Sequence, residues 1–147
     1  MRWLGQAIKI PVEILFSSEI KDQDERAHVS FETTGLYYIK EGQYYLMFEE
    51  RLEGQGPVKT TVRWSEKEAW IKRSGSVNMR IPFELHKKTK GIHETPELKF
   101  EVTAHTEKLI HTWDEQNQSG QFGLTYTLRM QGQLVGLYKL TIDFKEE

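Results

Sequence analysis

The feature that most constrains this chain is an alternation of period two that recurs from Ile8 almost to the C-terminus. Ile8, Ile10, Val12, Ile14 and Phe16 fall on one face of an extended segment, with Lys9, Pro11, Glu13 and Ser17 on the other. Successive side chains of a strand point to opposite faces, so this pattern predicts a strand with one buried side. Pro11 has no N–H to give to a ladder and marks an edge or a bulge. Val29, Phe31 and Thr33 continue the alternation, then Leu36 to Lys40, Tyr44 to Glu50, and Val58, Thr60, Val62 and Trp64. Ala69 to Arg73, Val77 to Phe83, Leu98 to Thr112, Phe122 to Met130 and Leu134 to Phe144 complete the set. Glu41-Gly42 and Gln131-Gly132 sit between such runs, where Gly accepts the positive φ of a tight hairpin.

This predicts an all-β protein of nine strands, or ten if Gly35 breaks the second, with no long helix. Many twisted antiparallel strands must close or stack to hide their edges. Short connections and no visible Greek-key crossover favour an up-and-down barrel of eight to ten strands over a sandwich. One domain spans 1–147, with 1–7 as an N-terminal extension. The longest polar break, Glu84 to Pro96, is expected to be a mouth loop with room for a short helix.

The chain of 147 residues has no cysteine, which excludes disulfides, thiol nucleophiles and thiolate metal sites and fits a reducing cytoplasm. Lys and Arg total 20 against 22 Asp and Glu, with the signs interspersed. That balance argues against a nucleic-acid partner, which usually requires a basic face. The basic run His86-Lys87-Lys88-Thr89-Lys90 reads as a solvated loop. Gln6, Lys9 and Glu13 interrupt the N-terminus, which resembles neither a signal peptide nor a membrane span.

Thr33-Thr34-Gly35-Leu36-Tyr37-Tyr38, Val58-Lys59-Thr60 and Arg73-Ser74-Gly75-Ser76-Val77-Asn78-Met79 resemble the YwiB-like family of small bacterial proteins of unassigned function. Phe83, Thr95-Pro96-Glu97-Leu98, Tyr126 and Thr141-Ile142 follow in the same order, so the resemblance runs from about Ile10 to Phe144. It implies a lipocalin-like (calycin) β-barrel in the cytoplasm and implies no activity. The chain departs from the family where Thr95-Pro96 is not followed by Tyr-Gly, and in the extension Met1 to Gln6 that carries Trp3. The Gly-x-Trp of secreted lipocalins is absent, so their function does not transfer.

No catalytic, metal or cofactor motif stands out. His105, Glu107 and His111 share parity on one predicted strand, but zinc needs three or four converging ligands and that face carries Lys99 and Glu101. His28, His86 and His93 are loop or strand-end residues that no nucleophile motif ties together.

Arg73 is the most informative residue. If Ala69 and Ile71 face inward, parity sends Arg73 inward too, at a strand end, where it could hold a carboxylate or phosphate. The plainer reading pairs it with an internal Glu. Tyr37, Tyr38, Tyr44 and Tyr45 flank the Glu41-Gly42 hairpin, one of each pair inward and one outward. Arg73, Tyr37, Tyr38 and Tyr44 are therefore the candidate ligand-binding residues.

The leading expectation is a non-enzymatic barrel that binds a small, partly apolar or anionic molecule in a cavity of several hundred Å³. The alternative is a protein-interaction module, such as a homodimer, with a fully packed barrel. Leu15, Trp70, Val135 and Leu137 would form its outer patch. An enzyme is a third reading. No nucleic acid, membrane or cofactor is expected.

Overall fold

The computed structural model describes residues 8–51 and 56–147. The expected extension at 1–7 lies outside the described residues. Ten strands follow one another: β1 (Ile8–Asp22), β2 (Glu25–Lys40), β3 (Gln43–Arg51), β4 (Pro57–Trp64), β5 (Glu68–Gly75), β6 (Asn78–Glu84), β7 (Lys88–Glu94), β8 (Lys99–Asp114), β9 (Ser119–Met130) and β10 (Gln133–Glu146). Each pairs antiparallel with its neighbour in sequence, and β1 pairs with both β2 and β10. The sheet is therefore a closed up-and-down barrel without a free edge.

The turns have the expected chemistry. Glu41 and Gly42 have φ of 52° and 78°, and Gln131 and Gly132 have 52° and 81°. Two consecutive positive φ values match the right-handed twist of the flanking strands. Pro11 sits just before the β1–β10 register begins at Val12↔Glu146, an edge position.

The tenth strand is not where the sequence places it. Gly35 does not break β2, which runs unbroken through it. A Cβ there would stand 2.2 Å from the Met47 carbonyl oxygen and 2.9 Å from Ile14 Cδ1, so glycine permits a close approach between strands. The additional strand is β7, inside the expected mouth loop at 84–96. No residue there, or elsewhere among the described residues, is helical. Its inward positions are Thr89, Gly91 and His93, so the apolar alternation that announces a strand is missing. Gly91 lies where a Cβ would come within 2.6 Å of the Arg80 carbonyl oxygen.

A bulge between Thr106 and Lys108 shifts the parity of β8. Before it, Val102, Ala104 and Thr106 are buried; after it, Leu109 is. His105, Glu107 and His111 therefore do not share a face: His111 turns inward against the Tyr44 ring, at 5.5 Å. A second register shift, between Leu134 and Gly136, separates Val135 from the outer Leu137. The expected outer patch is likewise dispersed. Val135 lines the interior. Leu15 pairs with Asp143, whereas Leu137 pairs with Lys21, six residues further along β1. Trp70 lies on β5 beneath the Arg63 guanidinium.

The interior has two unlike halves. Trp64, Phe83, Phe122 and Phe144 are buried toward the end that holds the β2–β3 and β8–β9 turns. Tyr37 stacks there on Trp113 at 5.0 Å, and Trp64 meets Phe122 at 4.8 Å. Burial of each such ring contributes about 1.5–3 kcal/mol. The opposite half is lined by a mixture of aliphatic, aromatic and polar side chains that leaves space between them. Barrel diameter grows with strand number, and eight strands already leave an interior just wide enough for side chains to fill. Ten strands can therefore close over a cluster of large aromatics at one end and stay open at the other.

Candidate functional site

The open half is a cavity of about 500 Å³. Its walls include Phe16, Ile71, Ile81, Val102, Leu128 and Leu140, so most of its surface is apolar. The polar groups gather on the short strands. Val62, Ile71 and Ile81 pair across β4, β5 and β6, and the next inward row toward the opening is Thr60, Arg73, Met79 and His93. Alternation along β5 sends Ala69, Ile71 and Arg73 inward together.

Arg73 has a partner. Its Nε donates to Glu50 Oε2 at 2.9 Å. Thr60 Oγ1 donates to the same carboxylate oxygen. Glu50 is the more buried of the pair, with 6% of its side chain exposed against 28% for Arg73. The carboxylate thus sits in the wall while the guanidinium reaches the cavity. The Arg73 Nη1 edge lies 3.9 Å from Met79 Sδ, a weak contact.

Three titratable rings complete the chamber. Burial pushes the Tyr126 phenol up, with a smaller push from Tyr138 and an opposing pull from Arg73. Burial also raises Tyr138, with Arg73 opposing and Asp22 adding to the rise. The two rings stack at 5.1 Å. Burial, then the Arg73 charge, lowers His93 below the ordinary 6.5. Near neutral pH the histidine and both phenols are uncharged.

Of the four candidate residues, only Arg73 lines this cavity. Tyr37 and Tyr44 do face inward, as alternation requires, but at the packed end, where Tyr44 stacks on Trp64 at 5.8 Å. Desolvation raises the Tyr37 hydroxyl to about 12. Tyr38 is on the outer wall, stacked on Tyr45 at 4.6 Å, with its hydroxyl against Met47 Sδ. The internal Glu that would pair with Arg73 exists. The fully packed interior expected alongside the interaction-module alternative is not found, since a cavity of about 500 Å³ remains.

Sequence reasoning missed Glu50, Thr60 and the chamber roles of His93, Tyr126 and Tyr138. A signal was present for Glu50, because it shares parity with Tyr44, Leu46 and Phe48 and is a carboxylate on an apolar face. His93 had none, since its strand lacks an apolar period. A shallower trough of about 850 Å³ crosses the outer wall past Glu13, Glu32, Asp114 and Asp143. It is open to water and walled by solvated carboxylates, so it offers a ligand little desolvation. Among the described residues, no three His, Asp or Glu side chains converge as a metal site.

The family model described as "Domain of unknown function (DUF1934)" matches residues 14–142. A protein from Bacillus subtilis (strain 168), named "Uncharacterized beta-barrel protein YwiB", is 28% identical over 135 residues, covering 92% of this chain and 93% of its own. The crystal structure of the ywiB protein from Bacillus subtilis superposes with a TM-score of 0.83 at 27% identity, covering 95% of this chain and 93% of that one.

Proposed function

The chain belongs to the DUF1934 family of domains of unknown function, and from that premise we propose that it is a non-enzymatic binding barrel for a small, partly apolar or anionic ligand. The observation that carries this reading is the half-open interior: about 500 Å³ of mostly apolar space with the Glu50–Arg73 pair at one wall. Cavities of about 300–1,000 Å³ with a few placed polar groups are the usual form of a small-molecule site. Glu50, the one carboxylate among the described lining residues, is already engaged by Thr60 and Arg73 and is not free to act as a general base. The cytoplasm is the proposed setting, since a chain without cysteine suits a reducing compartment.

Native mass spectrometry of the protein purified from its own host tests this directly. A bound small molecule is expected, displaced by the amphipathic anion 8-anilinonaphthalene-1-sulfonate. A protein that carries no adduct and does not bind the dye inside the barrel overturns the reading.

A further inference from the structure

Resting on that reading, we infer that the chamber takes the carboxylate of an apolar monocarboxylic acid on the outer edge of the Arg73 guanidinium, with Glu50 staying bonded behind it, and that binding brings a proton onto His93.

The donor balance points to an acceptor. Ser18, Arg73, His93, Tyr126 and Tyr138 line the cavity, and each can donate a hydrogen bond. The one carboxylate among the lining residues already accepts from Thr60 and Arg73. A ligand rich in acceptors meets the groups that remain. Glu50 approaches Arg73 at Nε, and of the two terminal nitrogens Nη1 makes only a weak contact with the Met79 sulfur among the described residues. A guanidinium presents N–H groups in a planar fork that matches two carboxylate oxygens. The apolar lining from Phe16 to Leu140 then suits a hydrocarbon body.

The charge balance points to the proton. Among the described lining residues Glu50 and Arg73 cancel, and His93, Tyr126 and Tyr138 are neutral, so these groups together carry no net charge before a ligand binds. A monoanion leaves it one negative charge in excess, in surroundings where an uncompensated charge is costly. His93 is the group placed to correct this. It stands in the same inward row as Arg73, two strands away across Met79, or about 10 Å at normal strand spacing.

Its other neighbours do not compete for the proton. β6 places the thioether of Met79 opposite it and β8 the ring of Phe100. Arg80, Glu94, Lys99 and Glu101 alternate to the outer side of their strands. Across the chamber stand Glu50 and Arg73, the phenols Tyr126 and Tyr138, and Asp22 near Tyr138. Burial and then the Arg73 charge hold His93 down, and a bound anion offsets the second of these.

The test is isothermal titration of the full chain with octanoate and with octanol, between about pH 6 and pH 8, in buffers of differing ionisation enthalpy. Octanoate is expected to bind at least about tenfold more tightly than octanol. Up to one proton should be taken up per octanoate, with affinity falling by up to about tenfold per pH unit as pH rises above the free His93 value. His93→Gln should abolish proton uptake and flatten the pH dependence while octanoate still binds. The double variant Glu50→Gln/Arg73→Gln keeps the wall neutral and should lose the preference for octanoate while still taking octanol. Equal binding of the two probes, or proton uptake that persists in His93→Gln, overturns the inference and leaves the binding barrel standing. So does failure of both probes when native mass spectrometry shows an adduct. Failure of both with no adduct overturns the underlying reading as well.

Discussion

Glu50 on β3 and Arg73 on β5 meet across β4, with Oε2 2.9 Å from Nε, and the carboxylate is the member sealed into the wall. Thr60, on the strand between them, donates to the same oxygen. The pair is therefore asymmetric. Its anion depends on its partners, whereas its cation has access to the open chamber.

That asymmetry predicts unequal costs. Arg73→Met strands a buried carboxylate and is expected to destabilise the barrel by about 3 kcal/mol, the low end for breaking a buried pair. Glu50→Gln keeps an acceptor for Thr60 and leaves Arg73 able to reach water, so about 1 kcal/mol is expected. Urea denaturation of both variants measures the difference, and equal losses would contradict the assignment of Glu50 as the buried member.

Tyr44 separates packing from binding. Its ring lies against Trp64 and His111 at the closed end, away from Arg73. Tyr44→Ala should cost about 2–4 kcal/mol in stability. Affinity for 8-anilinonaphthalene-1-sulfonate should not change. Tyr38→Ala, which removes an outer-wall stack on Tyr45, should cost no more than about 1 kcal/mol. A dye affinity that tracks Tyr44 would move the site to the packed end.

His93 makes stability fall in mild acid. Its folded value is depressed by burial and by Arg73, so the unfolded chain takes up a proton first. The stability that neutral His93 supplies is present above the ordinary value of 6.5 and is lost as pH falls through its folded value. Wild-type protein should lose more stability than His93→Gln between about pH 7.5 and pH 5.5 in chemical denaturation. Proton NMR of the imidazole should show a midpoint below 6.5.

Gly35→Ala tests why β2 continues through a residue that looks like a break. The new Cβ would collide with backbone, the Met47 carbonyl oxygen at 2.2 Å, so the strand itself must shift. A loss of about 1–3 kcal/mol is expected from overpacking. Hydrogen exchange should show weakened protection along Leu36 to Ile39 on β2 and Tyr44 to Phe48 on β3, the segments that pair there.

Sequence alone determined the class of fold, because half-burial of a strand writes a period of two into the chain wherever the inner face is apolar. It also placed the hairpins at Glu41-Gly42 and Gln131-Gly132, where a positive φ calls for glycine, and turned Arg73 inward by parity with Ala69 and Ile71. Three things were decided by the tertiary structure. β7 carries Thr89, Gly91 and His93 inward, so hydrophobicity is silent there and only pairing with β6 and β8 makes it a strand. The bulge at Glu107 moved His111 to the inner face, since parity holds only while the register does. Arg73 met Glu50 because the registers of β3 with β4 and of β4 with β5 bring the two inward side chains together across β4. Alternation is a local property of the chain, but which inward side chains meet, and whether they fill the space between them, depends on pairing and register across the whole barrel.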